Sequence, residues 1–382
     1  MKLREFATIN MGQSPKGETY NTDGNGMPFL QGRKTFGRIY PTIDTWTTNP
    51  IKTANKDEIL MSVRAPVGDM NFANQEICIG RGLCSINAKN GRNKYLYYML
   101  LNSMNELKQK STGTVFDSIN RNDLENLEIN FHSDKEQEKI ENILGNIDSK
   151  IELNNEINNN LHELLKNQYY KMFIEDRKDS WIDDKLGNYL TVDRGLSYKG
   201  QFLSENGVPM INLGNVMPNG VFRIEKNKYY SGDYKDKVTI KVGDIVVANT
   251  DMTQNREVIG TPVIVPPIYE DRIIFSHHIY GLRNLKLPKM YIFYTLLTDE
   301  WNAIAGGSAT GTTVLALPKE TIENYVITIP DNESLQLFDN MAESIQSKRS
   351  QILLENIKLE QLRDALLPKL MNGEIDLDNI EI

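Results

Sequence analysis

A heptad-patterned segment occurs twice in this chain, and this duplication restricts the possible folds more than any other feature. The first copy, residues 134–173, contains no proline and a single glycine, Gly145. Its apolar residues recur at alternating three- and four-residue spacings, which predicts a coiled-coil helix. The predicted seam consists of Ile143, Ile147, Ile157, Leu161 and Leu164, with interruptions at Lys150, Asn154 and Gln168. Such a helix, about 60 Å long, is more typical of a spacer or docking surface than of a core element.

The second copy lies near the C-terminus, 198 residues further along the chain. Residues 332 to about 367 show the same heptad pattern, and the following Pro368 and Asn372-Gly373 predict the end of the helix. The predicted seam consists of Phe338, Met341, Ile345, Ile352, Leu359, Leu362 and Leu366. Two helices with matching seams can pair if the intervening chain folds back. The sequence therefore predicts an antiparallel two-helix coiled coil.

The globular segments that precede the two helices are also copies of one another. The first segment opens with LREFATINMGQSPKG and the second with LGNYLTVDRGLSYKG, and the second opening lies 183 residues after the first. Each continues with an apolar strand after a Gly-x-Pro turn, a second buried strand, a tyrosine-rich helix and a Thr-Gly-Thr loop. We expect the tyrosines of the first helix, Tyr95, Tyr97 and Tyr98, to lie in the domain core, with base stacking as the alternative.

The repeat defines the expected architecture. A period close to 190 residues is far too long for a solenoid. The sequence predicts an α+β, pseudo-twofold protein in which two homologous globular domains are separated by two long antiparallel coiled-coil helices. The predicted boundaries are 1–133 for the first domain, 134–173 for the central helix, 174–330 for the second domain, and 331–382 for the distal helix and tail.

Composition restricts the class of protein. The chain is 40% hydrophobic and 25% charged, as in globular proteins. No run of about 18 apolar residues occurs, and MKLREFATINMGQSPKG has no apolar signal region, so we expect a cytoplasmic protein without a membrane span. Cys78 and Cys84 lie in an apolar, strand-like run, which predicts buried free thiols and not a disulfide or metal site.

The net charge of -8 is unevenly distributed. Residues 1–133 carry +3, residues 134–173 carry -3, residues 174–330 carry -2 and residues 331–382 carry -6. The helices hold most of the negative charge, whereas the nearly neutral globular segments can cluster their cations on one face. Charge therefore permits DNA binding without indicating it.

An enzyme is the main alternative to a binding protein. An adenine methyltransferase needs an Asn- or Asp-Pro-Pro-aromatic loop, but Pro266-Pro267 is flanked by valine and isoleucine, and Asn49-Pro50 lacks a second proline. Pro330-Asp331 resembles the start of a nuclease motif, but no Glu-x-Lys follows it on a strand. These patterns argue against catalysis, whereas a scaffold that binds only proteins stays open as an alternative.

The order and duplication of the motifs resemble the specificity subunit of type I restriction-modification enzymes over essentially the whole chain. The motifs are EQEKIENILGNIDSKIE, LLKNQYYKMF and LLPKLMNGEI, together with Gly-x-Ser-x-Lys-Gly at both domain openings. Two departures affect the helix ends. The second helix begins with NESLQLFDN and not with a Glu-Gln pair, and Met172-Phe173 stands where that family often has Trp-Phe.

The resemblance implies a non-catalytic DNA-recognition subunit that holds no cofactor of its own. Each globular domain would be a target recognition domain for one half of a bipartite, asymmetric DNA sequence. The helices would set the spacing and dock two modification subunits, which methylate adenine N6 with S-adenosylmethionine. Restriction subunits would join the full complex.

The candidate DNA contacts are polar loop residues that follow predicted strands or glycine turns. Arginine can bridge guanine O6 and N7, and asparagine can pair with adenine. In the first domain the candidates are Lys16, Arg33, Lys34, Arg64, Arg81, Thr112 and Thr114. In the second they are Lys199, Asn215, Asn249, Thr250, Thr253, Arg256, His277, Thr310 and Thr312. Each residue alone is equally consistent with a solvated surface position or a simple turn, so the prediction concerns the set.

The adjacent His277 and His278 raise the question of a metal site. A tetrahedral zinc site needs more ligands, and no cysteine or carboxylate pattern accompanies the pair. Neighbouring side chains on a strand point to opposite faces, so we do not expect the two imidazoles to share an ion. The sequence predicts neither a metal site nor a catalytic residue.

Overall fold

The computed structural model describes residues 1–110, 118–252, 255–270, 272–311 and 314–377. The chain forms two compact units: the first comprises Met1–Glu152 and Lys358–Ile382, and the second comprises Leu153–Ile357. The boundaries between the units fall inside the two long helices and not at their ends, because each part of a helix packs on the globular part of its own unit. No helix in the described ranges is long and apolar enough to cross a membrane.

The α-helices include two that are far longer than the others. Among the described residues they are α1 (Leu3–Phe6), α2 (Asn93–Lys110), α3 (Arg121–Glu125), α4 (Asp134–Tyr170), α5 (Lys289–Thr295), α6 (Asp299–Ser308), α7 (Lys319–Glu323) and α8 (Asn332–Met371). The long helices α4 and α8 contain 37 and 40 residues. A π-helical turn, Lys171–Glu175, follows α4.

Short β-strands form the rest of the regular structure. In the first unit they are β1 (Ala7–Met11), β2 (Tyr20–Asn21), β3 (Met27–Leu30), β4 (Trp46–Thr47), β5 (Thr53–Ala54), β6 (Ile59–Ser62), β7 (Met70–Phe72), β8 (Ile77–Ile79) and β9 (Leu83–Ala88). In the second they are β10 (Ile182–Lys185), β11 (Thr191–Arg194), β12 (Leu203–Ser204), β13 (Val208–Ile211), β14 (Lys228–Tyr230), β15 (Thr239–Ile240), β16 (Ile245–Ala248), β17 (Thr250–Asp251), β18 (Pro262–Ile264), β19 (Ile273–Phe275), β20 (Ile279–Arg283), β21 (Leu315–Ala316) and β22 (Val326–Ile329).

The two units share the topology of their two larger sheets, and the second unit also contains the two-stranded sheets β10-β22 and β17-β21. The first unit contains an antiparallel sheet in the order β1-β9-β6-β7 and a mixed sheet in the order β2-β4-β3-β8-β5, in which β3 and β8 are parallel. The second unit repeats both sheets as β11-β20-β16-β18 and β12-β14-β13-β19-β15, in which β13 and β19 are parallel. The predicted duplication of an α+β domain is therefore confirmed.

Continuous apolar runs place the central strands in the core. All four residues of β6 and of β16 are buried, as expected for strands that are covered on both faces. The cysteines Cys78 and Cys84 are buried free thiols, and burial raises the pKa of Cys84 to about 12. Of the tyrosines expected in the core, Tyr95 and Tyr98 are buried and Tyr97 is half-buried.

Each unit completes its core with part of each long helix. In the first unit, Ile140 and Leu144 of α4 pack with Leu367 and Leu370 of α8 in the same apolar cluster as the tyrosine-rich α2. In the second unit, aromatic side chains of α4, of the π-helical turn after it, of α5 and of α8 meet at ring-centroid distances of 4.9 to 5.8 Å. They are Tyr169, Phe173, Tyr291 and Phe338.

The two long helices pair in antiparallel fashion, as predicted. Within the first unit, Asp148 of α4 accepts a hydrogen bond from Arg363 of α8 at 2.9 Å. Within the second unit, Asn154 donates to Asn356 at 2.8 Å, and the Tyr169 ring lies 5.8 Å from that of Phe338. Residues later in α4 contact residues earlier in α8, so the two helices run antiparallel.

The predicted coiled-coil register was wrong on part of both helices. Ile157 and Leu164 of α4 and Leu362 of α8 were assigned to the seam but are 44%, 51% and 48% exposed. The buried face of α4 consists of Gln137, Ile140, Leu144, Ile151, Asn154, His162, Leu165 and Tyr169. Its three polar side chains have hydrogen-bond partners: the His132 carbonyl for Gln137, Asn356 for Asn154, and the Asn219 carbonyl for His162.

The predicted stop at Pro368 was also wrong, since α8 continues through this proline to Met371. Proline lacks an N–H group and normally interrupts a helix. The next turn nevertheless forms, with the Asn372 N–H donating to the Pro368 carbonyl at 2.9 Å. The helix ends at Met371, which agrees with the predicted stop at Asn372-Gly373. Gly373 has a φ of 71°, the left-handed conformation typical of a C-terminal cap.

A nearly buried carboxylate links the helices to the globular part of the first unit. Asp148 accepts hydrogen bonds from Tyr98 at 2.7 Å, Arg38 at 3.1 Å and Arg363 at 2.9 Å. Burial raises the pKa of the Tyr98 hydroxyl, and the adjacent carboxylate raises it further. The tyrosine therefore stays a neutral donor, and one acidic group connects α2, the chain around Arg38, and both long helices.

We predict that Asp148→Ala destabilises the protein by about 3 kcal/mol, because it leaves two arginines and a tyrosine hydroxyl without their acceptor. Chemical denaturation measures this loss. The matched control is Asp236→Ala, which removes an ion pair to Arg272 in which the carboxylate is 87% exposed and which contributes under about 1 kcal/mol. Equal stability of the two variants would contradict the linking role of Asp148.

Candidate nucleic-acid interface

In the first unit, hydrogen bonds join three loops that carry predicted contact residues. Ser14 donates to the Gln31 side chain at 2.9 Å and accepts the Arg81 backbone N–H at 3.1 Å. The Gly82 N–H donates to the Gln31 carbonyl at 3.1 Å. These bonds hold the loops near Lys16, Arg33 and Arg81 together. We call residues 12–17, 31–35, 62–69 and 80–82 the first loop set.

The fourth loop joins this set through the backbone. The Val63 N–H donates to the Gly82 carbonyl at 2.9 Å, and Arg64 forms a β-bridge with Ser118. The structure therefore brings the five predicted basic residues into one connected group, and all five side chains are exposed: Lys16, Arg33, Lys34, Arg64 and Arg81.

Within the part of the chain that the structure describes, two of these five cations have acidic partners. Arg33 forms an ion pair with Asp69. Lys16 lies 3.9 Å from the Glu18 carboxylate, with both side chains largely exposed. Exposed pairs of this kind contribute little to stability, so a phosphate group can compete for the cations.

In the second unit, the corresponding loops are connected in the same way. The Leu196 N–H donates to the Phe275 carbonyl at 2.7 Å, as Gln13 does to Ile79 at 2.9 Å in the first unit. The Asn249 N–H donates to the His278 carbonyl at 3.0 Å. We call residues 195–200, 249–251 and 276–278 the second loop set.

A close backbone approach explains the glycine at both domain openings. A Cβ on Gly12 would lie 2.3 Å from the Gly80 carbonyl oxygen, and one on Gly195 would lie 2.3 Å from the Ser276 carbonyl oxygen. Only glycine permits this contact. The opening segment therefore packs directly on the loop that carries Arg81 in one unit and His277 in the other.

Three predicted contact residues of the second unit are buried, and we correct their assignment. Asn215 is 0% exposed, and its amide bonds to Asn212, to the Arg223 carbonyl and to Asn227. Asn249 and Thr250 are also buried. Their side chains contact the His277 carbonyl and the His278 ring, at 3.0 Å in both cases. These three residues support the loops and do not present their side chains at the surface.

The remaining predictions in the second unit have different outcomes. Lys199 and Thr310 are exposed. Thr310 forms a β-bridge with Ala316, which in turn pairs with Thr250. Arg256 is exposed, but its guanidinium donates to the Gly306 carbonyl at 2.6 Å. Four further predicted residues lie outside the described residues: Thr112, Thr114, Thr253 and Thr312.

His277 and His278 lie in the turn between β19 and β20, and not on a strand as expected. Their rings therefore lie on the same side, with centroids 3.9 Å apart. Burial lowers the pKa of His278, and nearby His277, Lys228 and Arg194 lower it further, so this imidazole is predominantly neutral at pH 7. Among the residues that the structure describes, no cluster of potential ligands that could hold a metal ion is present.

Sequence reasoning missed several residues that shape these loops. Ser14 and Gln31 join the first loop set, although the repeated Gly-x-Ser-x-Lys-Gly motif already indicated Ser14. In the second unit, Lys228 lies 3.5 Å from the Tyr198 hydroxyl and over the Tyr198 ring. Tyr198 was part of the repeated opening, whereas no local pattern distinguishes Lys228 from other surface lysines.

The architecture defines a class of protein in which one α+β unit occurs twice and two long antiparallel helices contribute to both copies. Residues 1–163 match the family model described as type I restriction modification DNA specificity domain. An S subunit of a type I restriction-modification system from M. genitalium has the same fold: the TM-score is 0.55 at 16% identity, covering 97% of this chain and 95% of that one.

Two proteins of Methanocaldococcus jannaschii are similar in sequence. The first is assigned as the MjaX specificity subunit of a type I restriction enzyme, and it is 40% identical to this chain over 146 residues. The aligned segment covers 38% of this chain and 34% of the relative. The second, the type I restriction enzyme MjaIX specificity subunit, is 25% identical and aligns with 99% of this chain and 94% of its own length. Residues 1–163 are thus similar to a type I restriction modification DNA specificity domain, and the chain as a whole is similar in sequence to a type I restriction enzyme specificity subunit.

We predict that Asn215→Ala destabilises the protein by about 3 kcal/mol, because it leaves buried backbone groups of Asn212 and Arg223 without partners. Thermal unfolding measures the effect. Asn206→Ala, an exposed asparagine of the same unit, is the matched control and leaves the melting temperature unchanged. If Asn215→Ala instead weakened DNA binding at unchanged stability, the structural assignment would be refuted.

Proposed function

We propose that this chain is the non-catalytic DNA-binding subunit of a type I restriction-modification enzyme. Each unit binds one half of a bipartite, asymmetric DNA sequence through its loop set. The observation that carries this proposal is that the same two sheets and the same glycine-supported loops occur in both units, with different side chains at equivalent positions. A duplicated scaffold with diverged loops suits recognition of two different half-sites.

Exposed cations in the loops support a nucleic-acid ligand. Lys16 and Lys199 stand at equivalent positions, each directly before a short 3-10 helix, and both are exposed. Lysine at such a position can contact a phosphate, which fixes the protein on the duplex without reading sequence. Residues that differ between the loop sets then provide base specificity.

We propose that the long helices bind the modification subunits and set the distance between the two half-sites in DNA. Leu153, Ile157 and Leu164 of α4 are 55%, 44% and 51% exposed. Their four- and seven-residue spacings place them on one face of the helix. An apolar row on a helix surface is typical of a protein-binding site. The partners would be adenine-N6 methyltransferase subunits that hold S-adenosylmethionine, and restriction subunits would complete the enzyme.

We predict that genomic DNA from cells that express this chain with its modification subunit carries methylated adenines in a split, asymmetric motif. Cells that lack this chain but contain the modification subunit serve as the control and do not show the motif. Single-molecule methylation mapping makes the measurement. A methylated motif that persists without this chain, or no motif in either strain, would favour a scaffold that binds only proteins.

We further predict that Ile157→Arg combined with Leu164→Arg reduces binding of the modification subunit at least tenfold, because two charges replace an apolar contact surface. Co-purification and calorimetry measure the loss. The matched control is Val242→Arg, an exposed apolar position outside the helices, and it binds normally. Unchanged affinity of the double variant, with its fold intact by circular dichroism, would exclude this face as the docking site.

A further inference from the structure

Arg81 and His277 occupy the same structural position in the two units. Each lies in the short turn that joins the parallel-paired strand of the mixed sheet to the antiparallel sheet, β8 to β9 in one unit and β19 to β20 in the other. In both units the carbonyl of the residue after this position accepts a hydrogen bond from the residue that follows the neighbouring central strand. Gly82 accepts from the Val63 N–H at 2.9 Å, and His278 accepts from the Asn249 N–H at 3.0 Å. The two residues therefore correspond by their place in the strand topology and by the backbone hydrogen bonds around them.

The backbone holds this position firmly in both units. The glycine of the opening segment packs against the carbonyl of the residue before Arg81 or His277, which is Gly80 in the first unit and Ser276 in the second. In the first unit the Arg81 N–H donates to Ser14 at 3.1 Å, and in the second the His277 N–H donates to the Leu196 carbonyl at 2.9 Å. A side chain that selects one base must be supported by a rigid surrounding structure, and both turns provide one.

The side chains at this position differ in their hydrogen-bonding chemistry. Arg81 is exposed and presents a fork of donors without an acceptor, which matches guanine O6 and N7. His277 is half-buried. Its ring lies 5.8 Å from Tyr198 and 3.9 Å from His278, so these neighbours restrict its orientation, and each ring nitrogen can form a single hydrogen bond.

Polar atoms without partners are concentrated at this position in the second unit. Three buried atoms have no hydrogen-bond partner among the described residues: Asn249 Oδ1, Ser276 Oγ and His277 Nδ1. At the equivalent places the first unit has Val63 and Gly80, which carry no polar side-chain atom. The surroundings of this position are therefore polar in the second unit and lack these polar side chains in the first, so the two turns differ in chemistry although their backbones correspond.

We propose that Arg81 and His277 are the specificity-determining residues of this position, each contacting a base edge in the half-site bound by its own unit. Arg81 selects a guanine in the first half-site. His277, oriented by Tyr198 and His278, selects one base pair of the second. This inference rests on the proposed function, since it assigns bases to residues within the same DNA-binding loops.

The test uses the complete complex of this chain with its modification subunit, S-adenosylmethionine and a library of duplex DNA in which both half-sites are randomised. Arg81→Ala reduces the preference for guanine at one position of one half-site by about tenfold or more, with the other half-site unchanged. His277→Ala relaxes one position of the other half-site only. His277→Arg restores selectivity there, now for guanine.

Two control variants separate base reading from general binding. Lys199→Ala lowers methylation of all sequences similarly, because a phosphate contact carries no sequence information. Arg4→Ala removes an exposed arginine at the opposite end of β1 from the first loop set and changes nothing.

The outcomes distinguish the inference from the function on which it rests. If the wild-type complex methylates no split motif, the proposed function fails. If the wild-type motif is present but Arg81→Ala and His277→Ala retain every base preference, only the inference fails. Loss of activity on all sequences at unchanged melting temperature would likewise overturn it, because both residues would then contribute affinity without selectivity.

Discussion

The architecture depends on the register in which α4 and α8 pair. In the second unit, the buried amides of Asn154 and Asn356 bond to each other. In the first, Asp148 bonds to Arg363. A shift by one heptad would separate these partners and leave buried polar groups unpaired, at a cost of about 1–3 kcal/mol each. Polar contacts of this kind fix register in paired helices. The apolar residues of each helix reach the correct core only in this register.

The two units combine a shared backbone with different surfaces. The order of strands and the glycine contact at the opening segment are the same in both, because sheet pairing and close packing permit few alternatives. The loops meet fewer packing constraints, so Arg81 in one unit corresponds to His277 in the other. Divergence is therefore concentrated where a side chain can change without affecting the strands, which suits proteins that change ligand on a fixed scaffold.

Periodicity and repetition in the sequence were enough to predict the duplicated α+β fold and the antiparallel helices. They were insufficient for the register, because hydrophobicity favoured Ile157 and Leu164 over the buried His162, whose burial depends on a partner elsewhere in the chain. The sequence pattern also did not predict the direction in which polar loop side chains point. Asn215 follows an apolar strand, like a surface loop residue, but its pairing with Asn212 in a capping turn directs the amide inward. The exposed lysines and arginines were easier to assign, since burial of an unpaired charge is unfavourable.

The first unit is discontinuous in sequence, and this has a consequence for synthesis on the ribosome. Its core needs Leu367 and Leu370, but the entire second unit, residues 153–357, is made before them. Translation adds about 5–20 residues per second, so synthesis of the second unit takes roughly 10–40 s. During that time Ile140 and Leu144 lack their contacts with Leu367 and Leu370. The second unit, formed from one uninterrupted segment, can complete its core first. The order in which the units mature is therefore the reverse of the order in which their synthesis begins.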